Sequence, residues 1–161
     1  MGVSLTQTLR TRLDNPPMKK LLLPLLFAAC AAAQAAAPVK VEGAWARVAV
    51  KGQDSSGAYM TITASEPVTL LGGESPAAGI VEIHEMKMEG DVMKMRAAGD
   101  LPLAPGKPLK LAPGGFHFML MDLKTPFQAG GHIGITLRFK DAKGKIETLP
   151  VTVPVSVTKP S

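Results

Sequence analysis

Cysteine is nearly absent from this chain: one residue in 161, at position 30. It falls within "LLLPLLFAACAAAQAAA", which follows Met18-Lys19-Lys20. A short basic start, a short apolar run and small residues at its end are the layout of a secretory signal peptide. Ala33-Gln34-Ala35 supplies the A-x-A cleavage pattern. We therefore expect residues 1–35 to be an upstream extension plus signal, with translation starting at Met18, and 36–161 to be the exported domain. A domain starting at Ala36 holds no cysteine, which excludes disulfide stapling and thiol redox chemistry. The lesser alternative is a lipoprotein signal that keeps Cys30 as a lipidated first residue. "LFAAC" has the small residues this needs, but Phe27 stands where Leu is usual.

Other scarcities exclude other classes. The apolar run is short and broken by Pro24 and Gln34, so no membrane span is expected. Aromatic residues make up 4% of the chain, with one Trp and one Tyr. Removing 1–35 takes away Arg10, Arg12, Lys19, Lys20 and one acid, Asp14, so the net charge of +5 falls by three. What remains has no basic stripe with interleaved aromatics, and nucleic acid is not an expected partner. No Ser/His/Asp order, no carboxylate pair in an apolar setting and no phosphate loop is present, so no enzyme is expected. A sustained apolar period of 3.6 is missing too, which removes helical bundles.

What the chain does have is punctuation. Sixteen Gly and fourteen Pro residues separate short β-branched or alternating runs: "AYMTIT", "VTLLG", "GIVEIHEM", "DVMKMR", "KPLKLAPGG", "FHFMLM", "HIGITLRF" and "IETLPVTVPVSV". Runs at this spacing read as an all-β antiparallel sandwich or barrel, here a single domain. Pro113-Gly114-Gly115 reads as a turn between two strands. Pro150 and Pro154 place the last run at an edge or bulge.

Methionine is the second abundance. Past residue 35 seven remain, and six of them lie between 86 and 121. "EIHEMKMEGDVMKM" carries His84, Met86, Met88, Met93 and Met95; "GFHFMLM" carries His117, Met119 and Met121. Strand side chains alternate between faces, so His117, Met119 and Met121 share one face and Phe116, Phe118 and Leu120 the other. The phenylalanine face is the natural core. His84, Met86 and Met88 likewise share a face. A two-residue turn at Glu89-Gly90 would set His84 opposite Met95 and Met86 opposite Met93. An odd loop would send His84 and Met95 to opposite faces.

A single strand methionine is more often core filler than ligand, because the thioether packs irregular gaps. Met60 is assigned to the core on that ground, and the isolated His132 is given no metal role. The two clusters differ because His and Met alternate on one face twice. Imidazole and thioether form a soft, neutral donor set that suits Cu(I) and serves Zn²⁺, Ca²⁺ or Mg²⁺ poorly. A blue-copper centre needs a cysteine ligand and is excluded.

At these residues the sequence resembles the periplasmic copper chaperones of the copper-A assembly type, the PCu(A)C family. The family pattern is His, ten residues, Met, twenty-one residues, then His-x-Met. His84, Met95 and His117-Phe118-Met119 match it without a gap. "VEGAWAR", "SSGAYMTI" and "LAPGGFHFMLM" are similar as well. The resemblance implies a cupredoxin-like Greek-key β-barrel acting as a monomer. It implies that His84, Met95, His117 and Met119 bind one Cu(I), with Met86, Met88, Met93 and Met121 as an auxiliary soft shell. It further implies delivery, alone or with a thiol-bearing assembly factor, to the copper-A site of cytochrome c oxidase subunit II in the periplasm. Two rivals are a copper-buffering or resistance protein without a dedicated recipient, and a secreted β-sandwich interaction module whose methionines are core.

Overall fold

The computed structural model describes residues 38–160, all within a compact unit spanning Ala35–Ser161. The expected signal segment, with Cys30 and the cleavage position, lies outside the described residues. Ten strands follow one another: β1 (Val39–Arg47), β2 (Ser55–Ala64), β3 (Val68–Glu74), β4 (Ala78–Glu89) and β5 (Val92–Ala97), then β6 (Leu101–Leu103), β7 (Leu109–Leu111), β8 (Phe116–Leu123), β9 (His132–Asp141) and β10 (Ile146–Ser156). They hydrogen-bond in the order β5-β4-β8-β2-β1-β10-β9-β3-β6, with β7 also on β2. All pairings are antiparallel except the short β1–β10 contact at Ala46/Val155 and Arg47/Ser156. The path curls so that β3 passes close to β4: a Cβ on Gly73 would stand 3.4 Å from Val81 Cγ1. The result is the expected all-β single domain.

Alternation drives this assembly. Ile62, Leu70, Phe118, Leu120, Leu137 and Val153 are fully buried, and Phe139 and Ile135 nearly so. They come from both halves of the strand path and fill the space between them. Each such side chain removed from water contributes about 1.5–3 kcal/mol, so the interior face of each strand is strongly specified. Met60 belongs to this core at 2% exposure, as expected. Gly114 takes a φ of +85° in the turn that joins β7 to β8, and Ala112 N–H is bonded to Phe116 O at 2.8 Å. Pro150 and Pro154 sit where β10 pairs with β9 alone, which leaves one side of the strand needing no donor.

Two strands escaped the periodicity reading. β1 is broken by a register shift between Glu42 and Trp45, with Gly43 at φ +59°, so its apolar alternation changes phase midway. β6 has three residues, one of them Pro102, and is too short to show a period.

Candidate metal site

The β4–β5 hairpin and β8 bring the His and Met clusters together at one end of the strand path. The hairpin turn is Gly90-Asp91. Gly90 has φ +63° and Asp91 is not among the residues with positive φ, the pattern of a type II′ turn with Gly first. This corrects the expected pairing. Met86 faces Met95, Met88 faces Met93 and His84 faces Ala97. The loop keeps its even length, so His84 and Met95 still share a face and are diagonal neighbours, one rung apart. Gly fits either central position of a two-residue turn, and its placement first moves the pairing by two residues.

On the other side of β4, His84 lies directly opposite His117 and Glu82 opposite Met119. Met119 in turn pairs with Gly57 of β2. The Phe118/Leu120 face of β8 is in the core, and the His117/Met119 face is turned away from it, as the alternation requires. His117 is nevertheless buried, at 5% exposure. The Tyr59 ring leans over it with centroids 6.3 Å apart, and Met95 reaches it across the hairpin. Trp45 stacks behind Tyr59 at 4.6 Å, giving an aromatic wall that ends at the two imidazoles. Gly57 makes room for that wall, since a Cβ there would meet Tyr59 Oη at 2.6 Å.

The hydrogen bonds define which nitrogens can bind a metal. His117 Nδ1 is 3.0 Å from the Gly115 carbonyl oxygen, which can only accept, so Nδ1 carries the hydrogen. In the neutral ring Nε2 then presents a lone pair, and it points at Met95 Sδ, 3.2 Å away. Two electron-pair donors face each other there with no hydrogen between them. His84 is the converse case. Its Nε2 is 3.1 Å from Glu82 Oε2, an acceptor, while its buried Nδ1 has no partner. Unpaired buried polar atoms are uncommon and call for a reason. A metal ion supplies one, because a ligating imidazole ordinarily gives its other N–H to a carboxylate or a backbone carbonyl. Glu82 and Gly115 are those acceptors here.

The imidazole ring centroids are 6.1 Å apart. Met86, Met95, His117 and Met119 line an open depression of about 310 Å³, shared with Tyr59 and with Arg47, whose guanidinium carbon lies 5.9 Å from the Tyr59 ring centroid. Of the auxiliary methionines, Met86 belongs to this depression. Met88 and Met93 continue its face outwards along the hairpin. Met121 pairs with Ile80 and Ser55, two rungs from His117, and lies apart. His132 is exposed at the start of β9, away from the clusters. Among the described residues no three His, Cys, Asp or Glu groups come together as a metal site. The depression is lined by the His117 imidazole and thioether sulfurs, with His84 beside it across the β4–β8 ladder rather than in its lining. Donors of these types are neutral and soft and would fit Cu(I) by ligand type. Sequence reasoning missed Glu82 and Tyr59. Glu82 stands two residues before His84 on the same strand face, and that period was the available signal.

Comparison with known proteins bears on this geometry. The family model described as "LpqE-like: Putative lipoprotein LpqE-like" matches residues 39–155. The chain belongs to the LpqE-like family. It is 37% identical over 118 residues to "Putative lipoprotein Lxx21020" of Leifsonia xyli subsp. xyli, covering 73% of this chain and 69% of that protein. Among solved structures it is similar to CuI-DR1885 from Deinococcus radiodurans, at 31% identity and TM-score 0.59, covering 81% of this chain and 87% of the other. It also shares the fold of the copper-bound PCuAC domain from PmoF2, at 24% identity and TM-score 0.60, covering 77% and 97%. The resemblance to the PCu(A)C family holds, and with it the cupredoxin-like fold. Among the described residues no helix is long and apolar enough to cross a membrane.

Proposed function

We propose that this protein is a Cu(I) carrier of the periplasm, binding one ion through His84, Met95, His117 and Met119 and delivering it for assembly of the copper-A site of cytochrome c oxidase. The observation that carries the reading is the pair of imidazoles with one nitrogen each freed for a metal, His117 Nε2 facing Met95 Sδ at 3.2 Å and His84 Nδ1 buried without a partner. A relative of known structure was solved with Cu(I) bound, which supports the choice of ion.

The mechanism is ligand exchange. Gly115 and Glu82 hold the two rings by their N–H groups, so the metal-binding nitrogens are oriented before the ion arrives. Thioethers are weak, uncharged ligands, and Met95 is half exposed, so an incoming thiolate displaces it first. The ion then passes to the acceptor without change of oxidation state. The chain acts as a carrier rather than a catalyst, working as a monomer towards oxidase subunit II and a thiol-bearing assembly factor.

The test is to load the protein with one equivalent of Cu(I) without oxygen and mix it with the reduced soluble domain of oxidase subunit II, with and without the assembly factor. Copper should leave the chaperone, and the copper-A absorption should develop when the filled domain is then oxidised by one electron with added ferricyanide. Retention of copper under both conditions would make buffering without a recipient the better account. The names of the family and of the relative from Leifsonia xyli favour a second reading of export, in which Cys30 is lipidated and the domain is tethered to a membrane surface.

A further inference from the structure

Packing does not explain the outer part of the β4–β5 hairpin. Met88, Met93 and Met95 are 55%, 45% and 49% exposed, so the core-filling role of Met60 does not apply to them. They form a ladder: Met86 opposite Met95, then Met88 opposite Met93, all on the face that carries His84. Met86 N–H bonds to Gly115 O on the β8 side, and Ala98 N–H bonds to Ile83 O on the β5 side. Even-numbered residues of β4 therefore turn their peptide groups away from β5. Both methionine pairs are then non-hydrogen-bonded pairs, the type whose side chains approach most closely, with Cβ atoms about 4.5 Å apart. Successive pairs are roughly 7 Å apart along the strands, within reach of three-bond thioether arms. The opposite face of the hairpin is charged, with Glu89 bridging Lys94 at 2.9 Å and Arg96 at 3.2 Å. Those ion pairs are confined to the far face and leave the thioethers uncrowded.

We propose that Met86, Met88 and Met93 form a second, weaker Cu(I) site at the outer end of this hairpin, through which the ion enters and leaves the His84–Met95–His117–Met119 site. The proposal rests on the Cu(I) reading above. Met95 links the stations: its sulfur faces His117 Nε2 at 3.2 Å, and its cross-strand neighbour is Met86. His117, at 5% exposure, is closed to a partner's thiolate. Half-exposed Met95 is the main-site ligand a thiolate reaches, and Met88 and Met93 extend that exposed edge outwards along the hairpin. Passage along the ladder exchanges one neutral thioether for another. Copper stays Cu(I), and no proton or electron moves. Three thioethers without an imidazole bind more weakly than the mixed site, so the outer station fills second and empties first.

The test titrates the protein, labelled with ¹³C at methionine methyls, with Cu(I) in the absence of oxygen, and in parallel with Ag(I) as a redox-inert soft monovalent ion. The first equivalent should shift the Met95 and Met119 methyls and the second those of Met86, Met88 and Met93. A Met88→Leu/Met93→Leu variant keeps apolar volume; it should keep first-equivalent affinity, lose the second site, and release Cu(I) to a dithiol about tenfold more slowly, the lower end of what losing supporting groups does at metal sites. Met88 and Met93 methyls unmoved through several equivalents overturn the site. Unchanged release from the variant overturns its role in passage. Shifts at Met88 and Met93 with none at Met95 and Met119 would sink the four-ligand reading instead and leave the hairpin site standing.

Discussion

His84 and His117 face each other across the β4–β8 ladder, yet they are held by opposite nitrogens. His84 gives its Nε2–H to Glu82 and His117 its Nδ1–H to Gly115, so the pair is an asymmetric clamp. One hold is a backbone carbonyl that no substitution removes; the other is a single half-exposed carboxylate.

Glu82→Ala should therefore weaken Cu(I) binding although Glu82 is not a ligand. Loss of an outer acceptor to a ligating imidazole typically costs about 10–100-fold in metal affinity. Competition against a Cu(I) chelator measures this, and Glu82→Gln, which retains an acceptor oxygen, should recover part of the loss. Equal affinities for wild type and both variants would mean that His84 is oriented by something else.

Met95 and Met60 should respond oppositely to truncation. Met95→Ala removes a half-exposed side chain, so unfolding free energy should change by less than about 1 kcal/mol while Cu(I) affinity falls. Met60→Ala opens a cavity in the core and should cost about 2–5 kcal/mol with Cu(I) affinity retained in the folded fraction. Urea unfolding with chelator competition reads both. A Met95→Ala protein that is badly destabilised but binds copper normally would mark Met95 as packing.

Much of this was readable in the sequence. The assignment of β8 followed from alternation alone, because Phe118 and Leu120 are large enough to dictate which face is buried. The hairpin register did not follow. Gly90 can occupy either central turn position, and only its conformation in the folded chain distinguishes Met95 facing Met86 from Met95 facing His84. The burial of His117 was not readable either, since it depends on Tyr59 and Met95 arriving from two other strands.

Gly57→Ala tests the aromatic wall. The new methyl would meet the Tyr59 hydroxyl, so the ring must turn from its place between Trp45 and His117. Overpacking of this kind costs about 1–3 kcal/mol. Trp45 is the sole tryptophan of the chain, so its emission reports the displacement directly. Unchanged emission and unchanged melting would show that the wall is not tightly set.

Metal selectivity should appear as selective stabilisation. A ligand at a hundredfold excess over its dissociation constant stabilises the folded state by about 2.7 kcal/mol. Cu(I) at that level should raise the melting temperature. Zn²⁺ at the same concentration should leave it unchanged, because the site offers neither thiolate nor a cluster of three His and carboxylate groups. An equal shift with Zn²⁺ would count against the thioether ligand set.

Intact mass of the exported protein distinguishes the two modes of export. A chain starting at Ala36 is the expected product, and a diacylated chain starting at Cys30 would establish the tethered form.

The Gly90-Asp91 turn gives the ten-residue interval between His84 and Met95 a meaning as a length. It is the arc of a hairpin, counted down one strand and back up the other, and it admits only certain edits. Inserting one residue into either arm swings Met95 to the ion-paired side and removes it from the histidines. Adding one residue to each arm lengthens the hairpin but leaves Met95 opposite Met86, on the same side and at the same rung relative to His117. Variation in this hairpin should therefore come in matched pairs, and a lone insertion or deletion between His84 and Met95 should abolish copper binding in a protein that still folds.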